Sequence, residues 1–250
     1  MKHIILGAVL LSSVANQCGD KVANTSAKTG GPMTVMFYNV ENLFDTVNDP
    51  STLDDDFTPE GKLNWTDERY RTHLAHTAWV IDALPGDLPA LIGVCEIENR
   101  KVLEDLISAS LLSGKPYGIV HRDSPDERGI DVGLMYDRNQ WELVNESFIE
   151  VVLPSSGDPN TRDILHAQLR SGGNDLHVFV NHWPSRREGE KESEPNRLTA
   201  ARAVRDEIDK LLAGDKNAAV LVMGDFNDYP DNRSTHEVLC GGQVPLTNLM

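Results

Sequence analysis

The sequence has few of the features that define several large classes of protein. Three cysteines and 13 prolines in 250 residues argue against a disulfide scaffold and a collagen-like chain. Basic residues are also scarce, 23 against 39 acidic ones, which gives a formal charge of −16. A protein that coats nucleic acid by charge alone is disfavoured, because that function needs clustered Lys and Arg. An enzyme that places a metal ion between itself and a phosphate is still allowed.

Two common catalytic signatures are missing as well. The chain has no G-x-x-x-x-G-K-[ST] nucleotide loop and no G-x-S-x-G motif of serine hydrolases. After its first residues it has no apolar run long enough to cross a membrane. Its hydrophobic content of 40% is enough for a sizeable core, so we expect one or at most two globular domains.

The amino terminus has the residue order of an export signal. A basic start precedes an apolar run at 4–11, which is too short to span a bilayer and is followed by small polar residues. We predict an export signal at 1–17 and a flexible tether at 18–32, because the tether is almost free of apolar residues. Lipidation of Cys18 as a membrane anchor and simple cleavage nearby are both open. Either places the protein in the cell envelope or outside the cell.

Hydrophobic periodicity predicts regular structure from Met33 onward. Helices are predicted between the cap Thr66 and the stop Pro85-Gly86, between the cap Asn99 and Gly114, and at 196–213. Strands are predicted at 34–40, 91–95, 117–121, 130–137, 147–153, 163–169, 176–182 and 218–223. Five of these strands follow one another without a helix, which implies antiparallel pairing. The predicted fold is therefore a mixed sheet protein covered by helices.

Four of the apolar runs end in polar side chains that are costly to bury without a purpose. Ligands of sheets covered by helices tend to bind beyond the carboxyl ends of strands, so these ends are a candidate site. The polar residues at the four ends are Asn39 and Glu41, Glu96, Asn181 and His182, and Asp225 and Asn227.

Each of these residues also has an ordinary structural explanation. Asn39 or Glu96 alone is typical of a turn or a surface, and His182 is equally typical of a packed loop histidine. Asp225 fits an Asx turn that closes a strand. The occurrence of one pattern at four strand ends favours a site. Carboxylate oxygens suit Mg²⁺, Mn²⁺ or Ca²⁺, whereas a zinc site would have more His or Cys.

Four ordered motifs carry a resemblance to a known family. YNVEN at 38–42, EIEN at 96–99, NHWPS at 181–185 and GDFND at 224–228 resemble the motifs of the endonuclease/exonuclease/phosphatase superfamily. The run YNVENLFD is most similar to its bacterial secreted-nuclease branch. The resemblance extends over about residues 33–250. It implies an α+β fold, a four-layer α/β/β/α sandwich of two mixed β-sheets flanked by helices.

The resemblance also implies a metal-dependent phosphoesterase with a defined metal site. Carried over by position, Glu96 would be the principal metal ligand, with Asn39 beside it and Glu41 in support. Mg²⁺ is the expected cofactor, with Mn²⁺ or Ca²⁺ as alternatives. A magnesium ion held by one or two carboxylates and by phosphate oxygens is common in phosphoryl chemistry.

The same comparison implies roles in catalysis and in phosphate binding. Asp225 would align or deprotonate the attacking water, and Asn227 would hold Asp225 and the phosphate. His182 would contact the phosphate and stabilise the charge that develops on it. Arg162 and Asn181 would complete the phosphate-binding set.

One departure from the family concerns the end of the domain. The family ends with an acid and a second histidine in a Ser-Asp-His-like sequence, whereas this sequence has no histidine after His236. We therefore expect the domain at 33–250 to lack its last strand or strands.

The function expected from these observations is an exported endonuclease that hydrolyses nucleic acid by in-line attack of an activated water. We expect a monomer with no obligate protein partner. The segment 186–210 has seven basic and seven acidic residues, and it is either the approach for a polyanion or a solvated helix face with paired charges. Two alternatives are a phosphatase or phosphodiesterase for a small or lipid phosphate ester, and a catalytically weak surface binding protein of the same fold.

Overall fold

A computed structural model describes residues 9–10, 33–109, 111–154, 160–187 and 189–249. Apart from Val9–Leu10, the predicted export signal at 1–17 and the whole tether at 18–32, including Cys18, lie outside the described residues. Within the described ranges, none of the helices combines the length and the apolar composition needed to span a bilayer.

Two mixed β-sheets form the centre of the fold. Sheet 1 contains β1 (Val9–Leu10), β2 (Thr34–Leu43), β3 (Leu91–Ile97), β4 (Tyr117–His121) and β5 (Asp131–Asp137), in the order β1-β2-β3-β5-β4. Sheet 2 contains β6 (Glu142–Ile149), β7 (Ile164–Ser171), β8 (Asn174–His182) and β9 (Ala219–Asp225), in sequence order. The pairs β2–β3 and β8–β9 are parallel and the remaining pairs are antiparallel.

Three α-helices cover the sheets: α1 (Asp67–Asp82), α2 (Arg100–Ser108) and α3 (Glu190–Gly214). Both predicted helix caps are confirmed, because the side chains of Thr66 and Asn99 accept hydrogen bonds from the first turns of α1 and α2. A 3₁₀ turn at Asp55–Phe57 and a π-helical turn at Ser234–Leu239 complete the regular structure.

Three buried clusters lie between four layers, which confirms the predicted sandwich. One cluster packs α1 and α2 on sheet 1, a second fills the space between the sheets, and a third packs α3 on sheet 2. Strand β8 shows how one sequence serves two layers, because Val178 points into the inter-sheet cluster and Phe179 into the cluster under α3. The fold is therefore an α+β sandwich.

Three predicted boundaries are wrong. Helix α2 ends at Ser108 rather than near Gly114, and the other two differ for identifiable reasons. The strand predicted at 147–153 is Glu142–Ile149, an edge strand in which no residue is fully buried, while Val151 and Leu153 are apolar because they pack under α3. Helix α3 begins before Pro195 rather than after it. Its first turn is held by the buried Arg197, which donates to the Ser193 hydroxyl at 2.7 Å and to the Glu190 carbonyl at 2.8 Å.

Candidate active site

The carboxyl ends of the two parallel strand pairs lie at one edge of the sandwich. Asn39 pairs with Cys95 at the end of β2 and β3, and His182 pairs with Asp225 at the end of β8 and β9. The two ends are in contact, because the Asn39 Nδ2 atom in sheet 1 donates to the Asp225 Oδ2 atom in sheet 2 at 3.1 Å. The four strand ends that the sequence singles out therefore converge, as predicted.

Four side chains form the centre of this edge, which we term the central cluster: Asn39, Glu96, His182 and Asp225. Asn39 Nδ2 also donates to Glu96 Oε1 at 3.1 Å, so one amide group joins the two carboxylates. His182 Nε2 lies 3.9 Å from Glu96 Oε1. Two carboxylates and an imidazole thus face each other within reach of one small ligand.

Short turns fix the backbone beside this cluster. Asn39 Oδ1 accepts from the Glu41 amide at 2.9 Å, and Asp225 Oδ1 accepts from the Asn227 amide at 3.0 Å. Both are Asx turns. Asp225 therefore closes a strand with a turn and is at the same time part of the site. Glu41, Glu96 and Asn227 have φ angles of 56°, 62° and 50°. Such left-handed backbone is unfavourable for residues other than glycine and is often found at functional sites.

Burial controls the charge of His182. Burial lowers the pKa of this imidazole well below its ordinary value, and the positive charges of Arg162 and Arg128 lower the pKa further. His182 is therefore neutral at pH 7, with one ring nitrogen able to donate and the other able to accept. Its Nδ1 atom is buried without a hydrogen-bond partner among the described residues.

The backbone and side chain of Trp183 hold the sheet 2 half of the site together. Its carbonyl oxygen accepts from Arg162 Nη2 at 2.8 Å and from Asn227 Nδ2 at 2.9 Å. Its indole donates to Asn181 Oδ1 at 3.1 Å, and its amide donates to the Asp225 carbonyl at 2.9 Å. The sequence interpretation gave Trp183 no role, although it stands in the NHWPS motif.

Two residues predicted to bind phosphate are enclosed by protein. Asn181 is 0% exposed, and its amide groups bond to Trp183 and to the Met223 carbonyl. Arg162 is 7% exposed and donates from Nη1 to Asp126 Oδ2 at 2.9 Å. Both terminal nitrogens of Arg162 already donate to protein, to Asp126 and to the Trp183 carbonyl. Asn181 and Arg162 thus hold the strand ends in place, and their contact with a phosphate stays a prediction.

Arg128 is the accessible cation that the sequence interpretation missed. Its side chain is 38% exposed, and its Nε atom donates to Asp126 Oδ1 at 3.2 Å. Asp126 therefore links the buried Arg162 to the half-exposed Arg128. The terminal nitrogens of Arg128 donate no hydrogen bond within the part of the chain that the structure describes, yet its charge reaches His182. The available signal was its place beside Gly129 in the turn before β5.

The segment 186–210, predicted as an approach for a polyanion or as a solvated helix face, has both paired and exposed cations. Arg197 and Arg205 are buried, Arg186 pairs with Asp228 at 3.0 Å, and Lys210 pairs with Glu207 at 3.0 Å. The remaining basic residues, Arg187, Lys191 and Arg202, are exposed, so a polyanion contact at these three stays a prediction.

The donor set of the central cluster suits a hard divalent cation. Ligand atoms of Cys95, His182 and Asp225 lie within 4.8 Å of one another. Burial raises the pKa of the Cys95 thiol well above its ordinary value, so the thiol stays protonated and is a poor ligand. The oxygens of Glu96 and Asp225 are the better donors.

Asn39 and Glu41, two of the predicted metal ligands, are placed differently from Glu96. Asn39 turns its nitrogen to the carboxylates, because its oxygen is used in the Asx turn with Glu41. Glu41 is exposed. Its negative charge acts on the neighbouring Tyr38, whose pKa is raised first by burial and then by Glu41. Glu96 presents its Oε1 atom to the Asn39 amide at the centre, and the ligand roles of Asn39 and Glu41 stay predictions.

Comparisons with known proteins give a family and a fold. The model of the endonuclease/exonuclease/phosphatase family matches residues 34–246. A comparison with curated proteins finds no match. Among solved structures, a mannosyl-6-phosphatase of Bacteroides thetaiotaomicron is 18% identical, with a TM-score of 0.54 over 83% of this chain and 69% of its own.

Two further solved structures are similar. Zebrafish (D. rerio) TDP2, humanized by 14 mutations, is 16% identical, with a TM-score of 0.50 over 85% of this chain and 68% of its own. The human Nocturnin catalytic domain with bound sulfate is 17% identical, with a TM-score of 0.49 over 60% of this chain. This chain spans only 55% of that domain. At these identities the likeness concerns the fold.

Proposed function

This chain belongs to the endonuclease/exonuclease/phosphatase family, and on that premise we propose that it is a metal-dependent phosphoesterase. The first substrate class that we propose is nucleic acid, cleaved at phosphodiester bonds by an exported endonuclease. The observation that carries the proposal is the central cluster, in which one amide joins the carboxylates of Glu96 and Asp225 beside a neutral His182.

Asp225 is the residue best suited to orient the attacking water. Each of its two carboxylate oxygens accepts one hydrogen bond, Oδ1 from the Asn227 amide and Oδ2 from Asn39. A carboxylate fixed in this way can align a water or accept its proton without first reorganising. Asn227 contributes through its backbone, since its side chain bonds to the Trp183 carbonyl.

Glu96 is the residue best suited to hold the metal, and Asp225 lies across the cluster from it. A divalent cation held there supplies positive charge that neutralises the phosphate oxygens in the transition state. We propose Mg²⁺ as the natural ion, with Mn²⁺ able to replace it, because both prefer oxygen ligands. The uncommon backbone of Glu96, with φ of 62°, directs this side chain into the cluster rather than along the strand.

His182 and Arg128 are the groups suited to the phosphate itself. A neutral imidazole can donate one hydrogen bond to a phosphate oxygen at pH 7, and its burial strengthens that bond. Arg128 offers the terminal nitrogens of a planar guanidinium, the geometry that binds phosphate with two parallel hydrogen bonds. We therefore transfer the phosphate-binding role proposed for Arg162 to Arg128.

A small phosphate ester is the second candidate substrate. It is favoured by the burial or pairing of four of the seven basic residues on segment 186–210, which leaves Arg187, Lys191 and Arg202 exposed. Neutralising a long polyanion requires several accessible Lys or Arg. A monoester such as a sugar phosphate needs only the metal, His182 and one arginine.

The deciding experiment measures two activities on the same protein. Nicking of supercoiled plasmid and release of inorganic phosphate from mannose 6-phosphate are followed with Mg²⁺, with a chelator, and for Asp225→Ala. The matched control is Asp231→Ala, an exposed acid six residues further along the chain. Metal-dependent nicking that Asp225→Ala abolishes and Asp231→Ala retains supports the nuclease. Phosphate release without nicking supports the second candidate. Activity that the chelator leaves unchanged contradicts the proposed metal dependence, and the absence of both activities with Mg²⁺ contradicts both candidate substrates.

We also propose that the protein is exported and acts as a monomer in the cell envelope or outside the cell. The support is the order of basic, apolar and small residues ahead of Cys18. Fractionation of cells that express the full chain tests this proposal. A membrane-bound form that Cys18→Ala releases indicates a lipid anchor, and a protein confined to the cytoplasm contradicts export.

A further inference from the structure

A second group of metal-type side chains lies where β4 leads into β5. It consists of His121 at the end of β4, Asp123 in the following loop and Asp131 at the start of β5. Their potential ligand atoms all lie within 4.8 Å of one another. The side chains of His121 and Asp131 are 2% and 3% exposed, whereas Asp123 is 84% exposed. Two ligands are thus built into the fold and the third stands at the surface.

The spacing of these atoms fits a tetrahedral metal site. His121 Nε2 is 3.1 Å from Asp131 Oδ2 and 3.9 Å from Asp123 Oδ1. Ligand atoms of a tetrahedral zinc ion with bonds of about 2.1 Å are about 3.4 Å apart. The two observed distances lie on either side of that value. The longer distance involves the exposed loop residue, whose side chain can move closer without disturbing the core.

The far side of Asp131 is already held in the way that metal-ligating carboxylates are held. The backbone amide of Ser124 donates to Asp131 Oδ1 at 2.8 Å, and the Ser124 hydroxyl donates to the same oxygen. Oδ1 is therefore fixed by two donors, which leaves Oδ2 directed at His121. This arrangement orients one carboxylate oxygen toward the group before any ion arrives.

The nearby arginines do not neutralise this group. Arg122 pairs with Asp163, and Arg128 pairs with Asp126. Burial raises the pKa of Asp163, and the negative charge of Asp131 raises that pKa further. Asp163 Oδ1 is also buried without a hydrogen-bond partner among the described residues. With Arg162, which also pairs with Asp126, three arginines oppose four aspartates here (Asp123, Asp126, Asp131 and Asp163), and the one negative charge in excess favours a cation.

We propose that His121, Asp123 and Asp131 bind a first-row transition-metal dication of the Zn²⁺ type, with a fourth position open to water. An imidazole beside two carboxylates suits such an ion, whereas Mg²⁺ prefers oxygen ligands alone and keeps several waters. The site is separate from the central cluster and does not depend on the function proposed for it. A bound ion would tie the surface loop to β4 and β5, and the same loop carries Arg128.

Calorimetric titration of the full chain with Zn²⁺, in excess Mg²⁺ to occupy the central cluster, tests this site. The main variant is Asp123→Asn, because its exposed side chain can be changed without loss of fold. The matched control is Asp87→Asn, an equally surface-located aspartate near the opposite end of β3. His121→Gln removes the imidazole, and Glu96→Gln removes the carboxylate of the central cluster.

The expected result is one Zn²⁺ bound by the unmodified protein, with an affinity at least about tenfold lower in Asp123→Asn and in His121→Gln. Asp87→Asn and Glu96→Gln should bind Zn²⁺ as the unmodified protein does. Failure of the unmodified protein to bind Zn²⁺ would overturn the proposal. Equal affinity in Asp123→Asn, or loss of binding in Glu96→Gln alone, would overturn it as well. Should His121→Gln fail to fold, Asp123→Asn decides the question by itself.

Discussion

The two parallel strand pairs end at the same edge of the sandwich but hold their polar side chains in different ways. At the end of sheet 1, Asn39 and Glu96 are partly exposed, and Glu96 stands on left-handed backbone. At the end of sheet 2, His182 and its neighbours Asn181 and Trp183 are buried, and the Asn181 side chain bonds to the Trp183 indole and to the Met223 carbonyl. The sheet 1 half of the site is therefore accessible to an exchangeable ligand, whereas the sheet 2 half is enclosed and rigid.

This difference indicates how a small site can be both accessible and ordered. Asn39 joins the two halves, because one amide nitrogen donates to a carboxylate of each sheet. Metal binding and water alignment can therefore be assigned to different sheets, with Glu96 on one and Asp225 on the other. Variants of the two halves should accordingly have distinguishable effects.

The largest expected effect comes from isosteric changes to the two carboxylates. Glu96→Gln and Asp225→Asn should each lower kcat/KM by about a thousandfold, about 4 kcal/mol of transition-state stabilisation. Only Glu96→Gln should also raise the Mg²⁺ concentration that gives half-maximal rate, because Glu96 is the proposed ligand. Rates measured across a Mg²⁺ series for both variants check this. Identical Mg²⁺ dependence in the two variants would contradict the division of roles.

The next effect concerns the two arginines that share Asp126. Arg162→Met should lower the free energy of unfolding by about 3–5 kcal/mol, since it leaves a buried carboxylate oxygen unpaired. Arg128→Met should cost about 0–1 kcal/mol of stability, because its side chain is half-exposed. The kcat/KM of Arg128→Met should nevertheless fall, because Arg128 is the arginine proposed to bind the phosphate.

Urea unfolding and kinetics on the same preparations separate the two roles. If Arg128→Met retained full activity, the assignment of Arg128 to the phosphate would be wrong. A stable and equally impaired Arg162→Met would return the phosphate role to Arg162.

Much of the fold could be predicted because its signals are local. Thr66 and Asn99 cap helices through hydrogen bonds to residues three positions away, and β3 is a short run of apolar residues. Each of these features depends on a few neighbouring residues, so the sequence alone reveals it. Strand β6 was misplaced because an edge strand buries too little to leave a clear pattern. The start of α3 was missed because Arg197 stabilises a turn on the far side of Pro195, a contact that no sequence rule contains.

The central cluster was predictable only in outline. Residue type and position at strand ends indicated Glu96, His182 and Asp225, but which atom of Asn39 faces the site depends on a turn in three dimensions. The roles of Arg162 and Arg128 depend on burial, which two arginines in separate loops do not reveal. Both contact Asp126, and only the packing distinguishes the enclosed residue from the accessible one.

Glycines in the two sheets give a smaller contrast. A Cβ atom at Gly224 would lie 2.4 Å from the Asn181 carbonyl oxygen, which is backbone and cannot yield. A Cβ atom at Gly93 would lie 2.9 Å from Met223 Sδ, on a flexible side chain. Gly224→Ala should therefore cost about 1–3 kcal/mol of stability and reduce activity, whereas Gly93→Ala should cost less. Thermal unfolding of the two variants checks this. An equal loss of stability in both would contradict the rigidity of the sheet 2 half.

The last expected effect is a pH dependence of stability to which sheet 2 contributes through His166. Burial lowers the pKa of His166 to about 4, with a further lowering by His177. The unfolded chain, with an ordinary histidine pKa near about 6.5, therefore binds more protons than the folded chain between these values. Stability from His166 is present above that range and is lost as pH falls toward 4, with a slope below about 1.4 kcal/mol per pH unit. Urea unfolding from pH 7 to pH 4.5 should show a shallower decline for His166→Gln than for the unmodified protein. If the free energy of unfolding declined equally in both proteins, protons would reach the outer face of sheet 2 in the folded state. That face would then be less rigid than its buried contacts indicate.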